Sequence, residues 1–154
     1  MTSYPPRWPL ISKLPPAVAM SAVHAPLPVR VYWEDTDAGG VVYHANYVRF
    51  LERARTEWLR AKGIEQRALQ ETLQGVFVIT DVQLRYCAPA HLDDLLLVSV
   101  QLHTLGKASM ELAQQVCRGD TVLASGMVRI GYVDARTLRP QRIPEHLSSL
   151  LRAT

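Results

Sequence analysis

The sequence has little of what is typical of disulfide-rich, membrane-spanning or metal-binding proteins. Only two of its 154 residues are cysteines, Cys87 and Cys117, which are too few for a disulfide framework and lack metal-site spacing. Both lie in apolar, strand-like stretches, so we expect buried free thiols in a reducing compartment. No apolar run approaches the ~20 residues that a membrane helix needs. With 48% hydrophobic and 20% charged residues, the composition is that of one globular domain.

Most of the chain also lacks an excess of positive charge. The formal net charge is +3, and Arg7, Lys13 and Arg30 account for all of it, because the first 30 residues contain no acid. Basic and acidic side chains cancel in the rest. Since nucleic-acid binding needs clustered Lys and Arg, we expect no nucleic-acid partner.

Proline, by contrast, is concentrated in the first 28 residues, which hold seven of the ten. Proline removes amide donors and breaks helices, so this segment is expected neither to join a sheet nor to form a long helix. Pro15 and Pro16 interrupt any signal-peptide core. We therefore expect a Pro-rich basic arm over residues 1–27, flexible or draped over the surface, and a folded domain over residues 28–154. Whether Met20 is the true start stays open.

The hydrophobic pattern of the domain predicts one strand, one long helix and then four strands. The first strand covers residues 29–33. The helix covers residues 46–62, with Asn46 as its N-cap and Gly63 as the left-handed residue that ends it. Its apolar face consists of residues at helical spacing, namely Tyr47, Leu51, Ala54 and Trp58.

A polar helical stretch is expected near residues 64–74, and alternating strands follow it. In the predicted strand over residues 110–116, Gln114 is the one polar residue among the alternating apolar positions. Hairpin turns are predicted at residues 105–107 and 118–120, so Arg118-Gly119-Asp120 is read as a turn and not as an adhesion motif. These elements indicate an α+β class in which one sheet wraps a single helix. The four strands cover residues 81–86, 96–103, 110–116 and 122–132.

Acids and glycines are concentrated just before the long helix. Glu34, Asp35 and Asp37 precede Gly39 and Gly40. The helix N-terminus behind them presents unpaired N–H groups and a partial positive charge, which would stabilise an oxyanion. A carboxylate facing it could attack a carbonyl or deprotonate water. The residues fit acyl transfer to water, and they also fit a loop whose acids cap the helix and whose glycines make the turn, which is the more common case for such a loop.

Other routes to such chemistry have no motif here. The chain has no G-x-S-x-G elbow of an α/β-hydrolase and no Gly-rich phosphate loop. Its histidines lack metal-ligand spacing. We therefore expect no metal and no cofactor.

A longer motif resembles a known family. The segment from Val31 to Tyr47 has D-x-D-x-x-G-x-V-Y-H at its centre. Together with residues 50–57, 86–90 and 92–94, it resembles the hotdog-fold 4-hydroxybenzoyl-CoA thioesterase family, in particular its Tol–Pal-associated acyl-CoA thioesterases (the YbgC type). The resemblance covers about residues 28 to 145. It implies a long central helix wrapped by an antiparallel sheet of about five strands, paired into dimers and commonly tetramers.

The resemblance also implies site residues. Asp37 occupies the family's catalytic carboxylate position, as nucleophile or as general base. His44 occupies the oxyanion position through its backbone N–H, and whether its imidazole also takes part is left open. Tyr43, Asn46 and Tyr47 are expected to shape the substrate site, although Tyr47 also belongs to the apolar helical face.

Neighbouring carboxylates receive structural roles. Asp35 is expected to organise the loop or cap the helix. Glu57 matches a carboxylate position used in other branches, but Arg53 one turn away makes an ion pair the favoured interpretation.

Lys107 is the one cation at the position where relatives carry a short basic run that contacts CoA. This scarcity leaves room for an acyl carrier protein as donor, and contact of the basic arm with its acidic surface is a hypothesis.

The sequence therefore predicts a cytoplasmic thioesterase acting on acyl-CoA or acyl carrier protein. A non-catalytic acyl-binding or scaffold module linked to the cell-envelope Tol–Pal machinery is the alternative. A hotdog dehydratase or hydratase is a third interpretation, for which no motif is found. The acyl group itself is not predicted.

Overall fold

A computed structural model describes residues 24–153, so most of the predicted arm lies outside the described residues. The strands are β1 (Leu27–Arg30), β2 (Gly75–Tyr86), β3 (Leu95–Leu105), β4 (Ser109–Arg118) and β5 (Thr121–Asp134), and the helices are α1 (Asn46–Ala61), α2 (Gln66–Leu73) and α3 (Glu145–Arg152), with a 3-10 turn at Trp33–Asp35. The strands form one antiparallel sheet in the order β1-β3-β4-β5-β2. The predicted α+β class, with one long helix against a five-stranded antiparallel sheet, is confirmed.

Helix α1 packs its apolar face on β1, β3 and β4. The predicted face is buried, with Tyr47, Leu51, Ala54 and Trp58 each at most 5% exposed. Burial of a side chain of the size of Leu51 contributes about 1.5–3 kcal/mol. The first half of α1 joins a core cluster with β1 and the start of β3, and the second half joins a cluster with β5 and α3.

The structure corrects the ends of two strands and adds a helix, α3. The first strand begins at Leu27, so Leu27 and Pro28, which were expected outside any sheet, pair with β3; β1 is an edge strand, where a proline is tolerated. It ends at Arg30, opposite the first residue of β3, Leu95, and Trp33 lies in the 3-10 turn. Strand β2 begins at Gly75, six residues before the alternation predicted it. The sequence pattern did not predict α3.

The ends of α1 are partly as predicted. Gly63 has a φ of +76° and its N–H donates to the Arg60 carbonyl, so its left-handed role is confirmed. Asn46 as N-cap is wrong. Ala45 occupies that position without a side-chain cap, because the Asn46 side-chain amide donates instead to the Asp35 carbonyl oxygen, 2.9 Å away.

Two predictions about polar side chains are wrong. Glu57 pairs with Arg60, while the guanidinium of Arg53 lies 5.9 Å from the Phe50 ring centre. The two thiols are free but not both buried, since Cys87 is exposed and Cys117 is only partly buried.

The sheet has two distinct ends. Strands β1 and β2 both finish, and β3 begins, at one end, which we call the site end; it carries Arg30, Tyr86 and Leu95. The β3–β4 turn with Lys107 lies at the other end. Within residues 24–153, no helix is long and apolar enough to cross a membrane.

Candidate active site

Asp37 lies at the tip of a tight hairpin at the site end. Thr36 and Val42 form an isolated antiparallel bridge, and between them the Asp37 N–H donates to the Val41 carbonyl at 3.0 Å. The turn is closed by the Gly40 N–H, which donates to the Asp37 carbonyl at 3.0 Å. Gly40 has a φ of +75°, a conformation that glycine adopts without strain.

The carboxylate of Asp37 is exposed and has one partner among the described residues. Its Oδ1 accepts a 2.8 Å hydrogen bond from the Gly39 N–H, which fixes the side chain across the turn. A Cβ at Gly39 would lie 3.1 Å from this oxygen. The second oxygen is left to solvent within residues 24–153, so the carboxylate is oriented without being neutralised by a cation.

Asp35 organises the loop, as predicted from the sequence. It is 7% exposed, and its Oδ2 accepts a 2.8 Å hydrogen bond from the Tyr32 N–H. Its carbonyl oxygen accepts from the Tyr43 N–H and from the Asn46 side chain, both at 2.9 Å. This one residue therefore ties the 3-10 turn to the start of α1.

The N-terminus of α1 has two free amides behind this loop. The Asn46 N–H donates to the Tyr43 carbonyl at 2.9 Å, which holds the turn that leads into the helix. Within the part of the chain that the structure describes, the N–H groups of His44 and Ala45 have no acceptor. Ala45 is already helical, with φ −71° and ψ −21°. Such first-turn amides carry the positive end of the helix dipole, so an anion is stabilised there.

The remaining predicted site residues divide into surface and core. Tyr43 is 45% exposed, and its ring centre lies 4.4 Å from that of His44. Asn46 and Tyr47 are 6% and 3% exposed. The Tyr47 ring lies among Phe50 and other core residues, and its hydroxyl accepts a 3.1 Å hydrogen bond from a backbone N–H. Asn46 and Tyr47 are thus buried beneath the surface of the site, where they hold its backbone in place.

Residues 86–94 form a wall of the site, because they contact both the Asp37 hairpin and the N-terminus of α1. The Tyr86 hydroxyl donates a 2.7 Å hydrogen bond to the His44 carbonyl. Ala90 accepts from the Val42 N–H at 2.9 Å and donates its own N–H to the Tyr47 hydroxyl. In the sequence, this segment stands out only as part of the family resemblance, which implies no role for it. The signal was the Tyr86-Cys87-Ala88-Pro89-Ala90 motif itself.

An ion pair anchors this wall. Arg118 donates to Asp94 at 2.7 Å and to the Pro89 carbonyl at 3.3 Å, and the His91 N–H donates to the same Asp94 oxygen at 2.8 Å. Partial burial acts to raise the pKa of Asp94, but the His91 hydrogen bond and the Arg118 charge together hold it below its usual value. Asp94 therefore stays ionised and keeps the wall in place.

Lys107 is far from these groups. Strand β3 has eleven residues, from Leu95 at the site end to Leu105 beside the turn, which corresponds to roughly 30 Å at strand spacing. Within one chain, the structure brings Asp37, His44 and Tyr43 to the same end of the sheet and leaves Lys107 at the other.

Comparisons with known proteins agree with this architecture. A family model described as the thioesterase-like superfamily matches residues 31–151. An acyl-CoA thioesterase YbgC of Haemophilus influenzae is 42% identical over 122 residues, covering 79% of this chain and 90% of the relative. One from Helicobacter pylori is 36% identical over 133 residues, covering 80% and 97%.

A solved structure of a probable thioesterase from Bartonella henselae has a TM-score of 0.74 and 32% identity, covering 77% of this chain and 97% of that one. The hotdog fold and the resemblance to YbgC-type thioesterases are therefore confirmed. On its sequence and its fold, the chain belongs to the thioesterase-like superfamily.

Proposed function

We propose that this protein hydrolyses acyl-CoA thioesters, with Asp37 as its catalytic carboxylate and the backbone N–H of His44 in its oxyanion site. Relatives named as acyl-CoA thioesterases are 36–42% identical over most of their length, which supports the reaction class. One observation carries the residue assignment. Within residues 24–153, the exposed and oriented carboxylate of Asp37 has no cation partner and shares the site end with two amides at the N-terminus of α1 that have no acceptor.

The chemistry requires an activated oxygen and an oxyanion site. The Asp37 carboxylate either takes a proton from water as the water oxygen attacks the thioester carbonyl carbon, or attacks that carbon itself and forms a mixed anhydride that water then hydrolyses. In both routes the carbonyl oxygen becomes negative and the His44 N–H stabilises it. The C–S bond then breaks, and the CoA sulfur leaves and takes a proton.

The choice between these routes has a direct test. A single turnover with enzyme in excess, in water labelled with heavy oxygen, leaves label in the Asp37 peptide if water attacks the carboxyl side of an anhydride. Label only in the product acid is produced both by the general-base route and by water attack on the acyl carbon of an anhydride, so label in the Asp37 peptide is the result that identifies the anhydride. Mass spectrometry of the Asp37 peptide measures the difference.

We further infer that two copies of the chain act together. Strand β2 has twelve residues and stands at one edge of the sheet, and it exposes Ile79, Val82 and Tyr86 by 38–49%. A long apolar edge is normally covered. Two-fold antiparallel pairing of β2 with its copy would set the site end of one chain beside the Lys107 end of the other. The acyl donor would then reach Lys107 across the interface, and a homodimer or homotetramer is expected in light scattering.

The donor group is acyl-CoA in this proposal, with acyl carrier protein as a second substrate. Both donors present the same thioester on a pantetheine arm, so one site accommodates both. Cytoplasmic location follows, because both donors are found there. Carrier-protein turnover that is unchanged when residues 1–23 are deleted would refute a role for the basic arm in binding it.

The alternative function is a non-catalytic acyl-binding or scaffold module of the Tol–Pal machinery. One observation favours it: where relatives carry several cations for CoA, at the β3–β4 turn, this sequence has Lys107 alone. The exposed carboxylate of Asp37 argues against it, because a scaffold does not need an unneutralised acid at the mouth of an anion site.

The deciding experiment measures thiol release from a panel of acyl-CoAs and acyl carrier proteins. We expect turnover by the unmodified protein and a loss of about a hundredfold or more in Asp37→Asn, because the carboxylate provides general-base or nucleophilic catalysis. Glu34→Gln is the matched control, since Glu34 is an exposed carboxylate on the same loop. An active Asp37→Asn protein would refute the residue assignment, and no turnover of any donor by the unmodified protein would favour the scaffold.

A further inference from the structure

Two consecutive peptide groups at the N-terminus of α1 are each fixed by a hydrogen bond to the carbonyl oxygen. The plane between Tyr43 and His44 is held at its oxygen by the Asn46 N–H. The next plane, between His44 and Ala45, is held at its oxygen by the hydroxyl of Tyr86, at 2.7 Å. The N–H ends of these two planes belong to His44 and Ala45, the two amides that have no acceptor within residues 24–153.

Tyr86 itself is braced. Its ring meets the His44 ring edge-on at 6.5 Å and the Tyr47 ring at 5.4 Å. Tyr47 is buried and is fixed by the Ala90 N–H. Tyr86 is also the last residue of β2, so the regular backbone of the sheet determines where its hydroxyl lies.

We propose that Tyr86 is a positioning residue that fixes the His44–Ala45 peptide, so that Ala45 provides a second oxyanion donor beside His44. This inference rests on the thioesterase function proposed above and adds to it a residue that contacts no reacting atom. Ala45 is helical, and consecutive amides of a first helical turn point in nearly the same direction. One negative oxygen can therefore accept from both.

The hydrogen bond has two effects on catalysis. It orients the Ala45 N–H before the substrate arrives, and a preorganised donor does not need to move as charge develops. It also polarises the peptide, because a carbonyl that accepts a hydrogen bond makes its own N–H a stronger donor. Partial burial, and in second place the nearby Tyr47, raise the pKa of Tyr86, so its hydroxyl keeps its proton at neutral and mildly alkaline pH.

The test is Tyr86→Phe, which removes the hydroxyl and keeps the ring packing. We expect kcat to fall about fivefold to tenfold, with KM and the affinity for a non-hydrolysable thioether analogue of the substrate unchanged. A merely structural role would weaken analogue binding as well. Tyr32→Phe is the control, since Tyr32 is 60% exposed and its hydroxyl has no partner in the part of the chain that is described.

A second measurement needs no turnover. In the ligand-free protein, NMR should show the Ala45 amide proton moving upfield in Tyr86→Phe, because its peptide loses the donor at the His44 carbonyl. An unchanged Ala45 shift, a kcat within twofold of the unmodified protein, or a parallel loss of analogue affinity would each overturn the role of Tyr86. Failure of the unmodified protein to hydrolyse any thioester would refute the proposed function instead, and the Ala45 shift would still decide whether Tyr86 positions the peptide.

Discussion

Arg55 is a charged residue in the core between α1 and the sheet, and Gln114 of β4 is the group that holds it. Arg55 is 7% exposed and Gln114 is 1% exposed. The guanidinium donates to Gln114 Oε1 at 3.0 Å, and Gln114 Nε2 donates to the Leu51 carbonyl at 3.1 Å. Burial lowers the pKa of Arg55, against which the charge of Glu52 acts. We predict that Gln114→Leu destabilises the fold strongly.

The size of the effect follows from these contacts. A hydrogen bond to a charged group contributes about 1.5–3 kcal/mol, and removing one partner of a buried charged pair costs about 3–5 kcal/mol. Gln114 is a neutral partner, so we expect a loss of about 3 kcal/mol in the free energy of unfolding. For a chain of this size that corresponds to a fall in Tm of roughly 6–12 °C.

The assay is urea unfolding of four proteins at one concentration: unmodified, Gln114→Leu, Arg55→Met and the double variant. The double variant should recover about 2 kcal/mol relative to the sum of the single changes, because it removes the charge together with its acceptor. Gln115→Leu is the control, since its side chain is buried without a hydrogen-bond partner among the described residues. A loss below about 1 kcal/mol in Gln114→Leu, or strictly additive effects, would refute the reasoning.

Two further predictions concern acid stability and close packing. The pKa of Asp94 is lowered in the folded state, so its contribution to stability is present above the unfolded value of about 3.9 and is lost as pH falls through the lower, folded value. The free energy of unfolding, measured from pH 6 downward, should therefore fall less steeply below about pH 4 in Asp94→Asn, and equal slopes would contradict this. Gly126→Ala should lower the Tm, because its Cβ would lie 2.5 Å from the Gln83 carbonyl oxygen and backbone must move; a Tm within 1 °C of the unmodified protein would show that the strands separate freely.

The sequence predicted the fold well wherever one periodicity dominated. The face of α1 and the alternation along β3 and β5 both reflect one-sided burial, which is visible in hydrophobic patterns. The first half of β2, Gly75–Thr80, contains an unbroken apolar run that a period-2 template does not recognise. Residues 31–33 have strand propensity, yet β1 ends opposite Leu95, the first residue of β3, and the Asp35 carboxylate accepts the hydrogen bond of the Tyr32 N–H.

Within the site, the loop-organising role of Asp35 is confirmed, because its carboxylate and its carbonyl oxygen both accept hydrogen bonds that hold the loop. The roles of Asp37 and His44, which the family resemblance implies, stay predictions. Asn46 is a residue type that favours the N-cap position, but its side-chain amide donates instead to the carbonyl oxygen of Asp35. This hydrogen bond depends on a turn eleven residues earlier, so helix propensity alone does not predict it.

Ala90 illustrates what side-chain reasoning misses. It is fully buried, and both of its backbone polar groups serve the site: its carbonyl binds the Val42 N–H of the Asp37 hairpin, and its N–H binds the Tyr47 hydroxyl of α1. A residue without functional atoms in its side chain therefore connects hairpin to helix. Any larger side chain would have to displace the core around it. The segment 86–90 therefore acts largely through hydrogen bonds to backbone. It brings the Tyr86 hydroxyl and the backbone polar groups of Ala90 to the N-terminus of α1 and the loop before it.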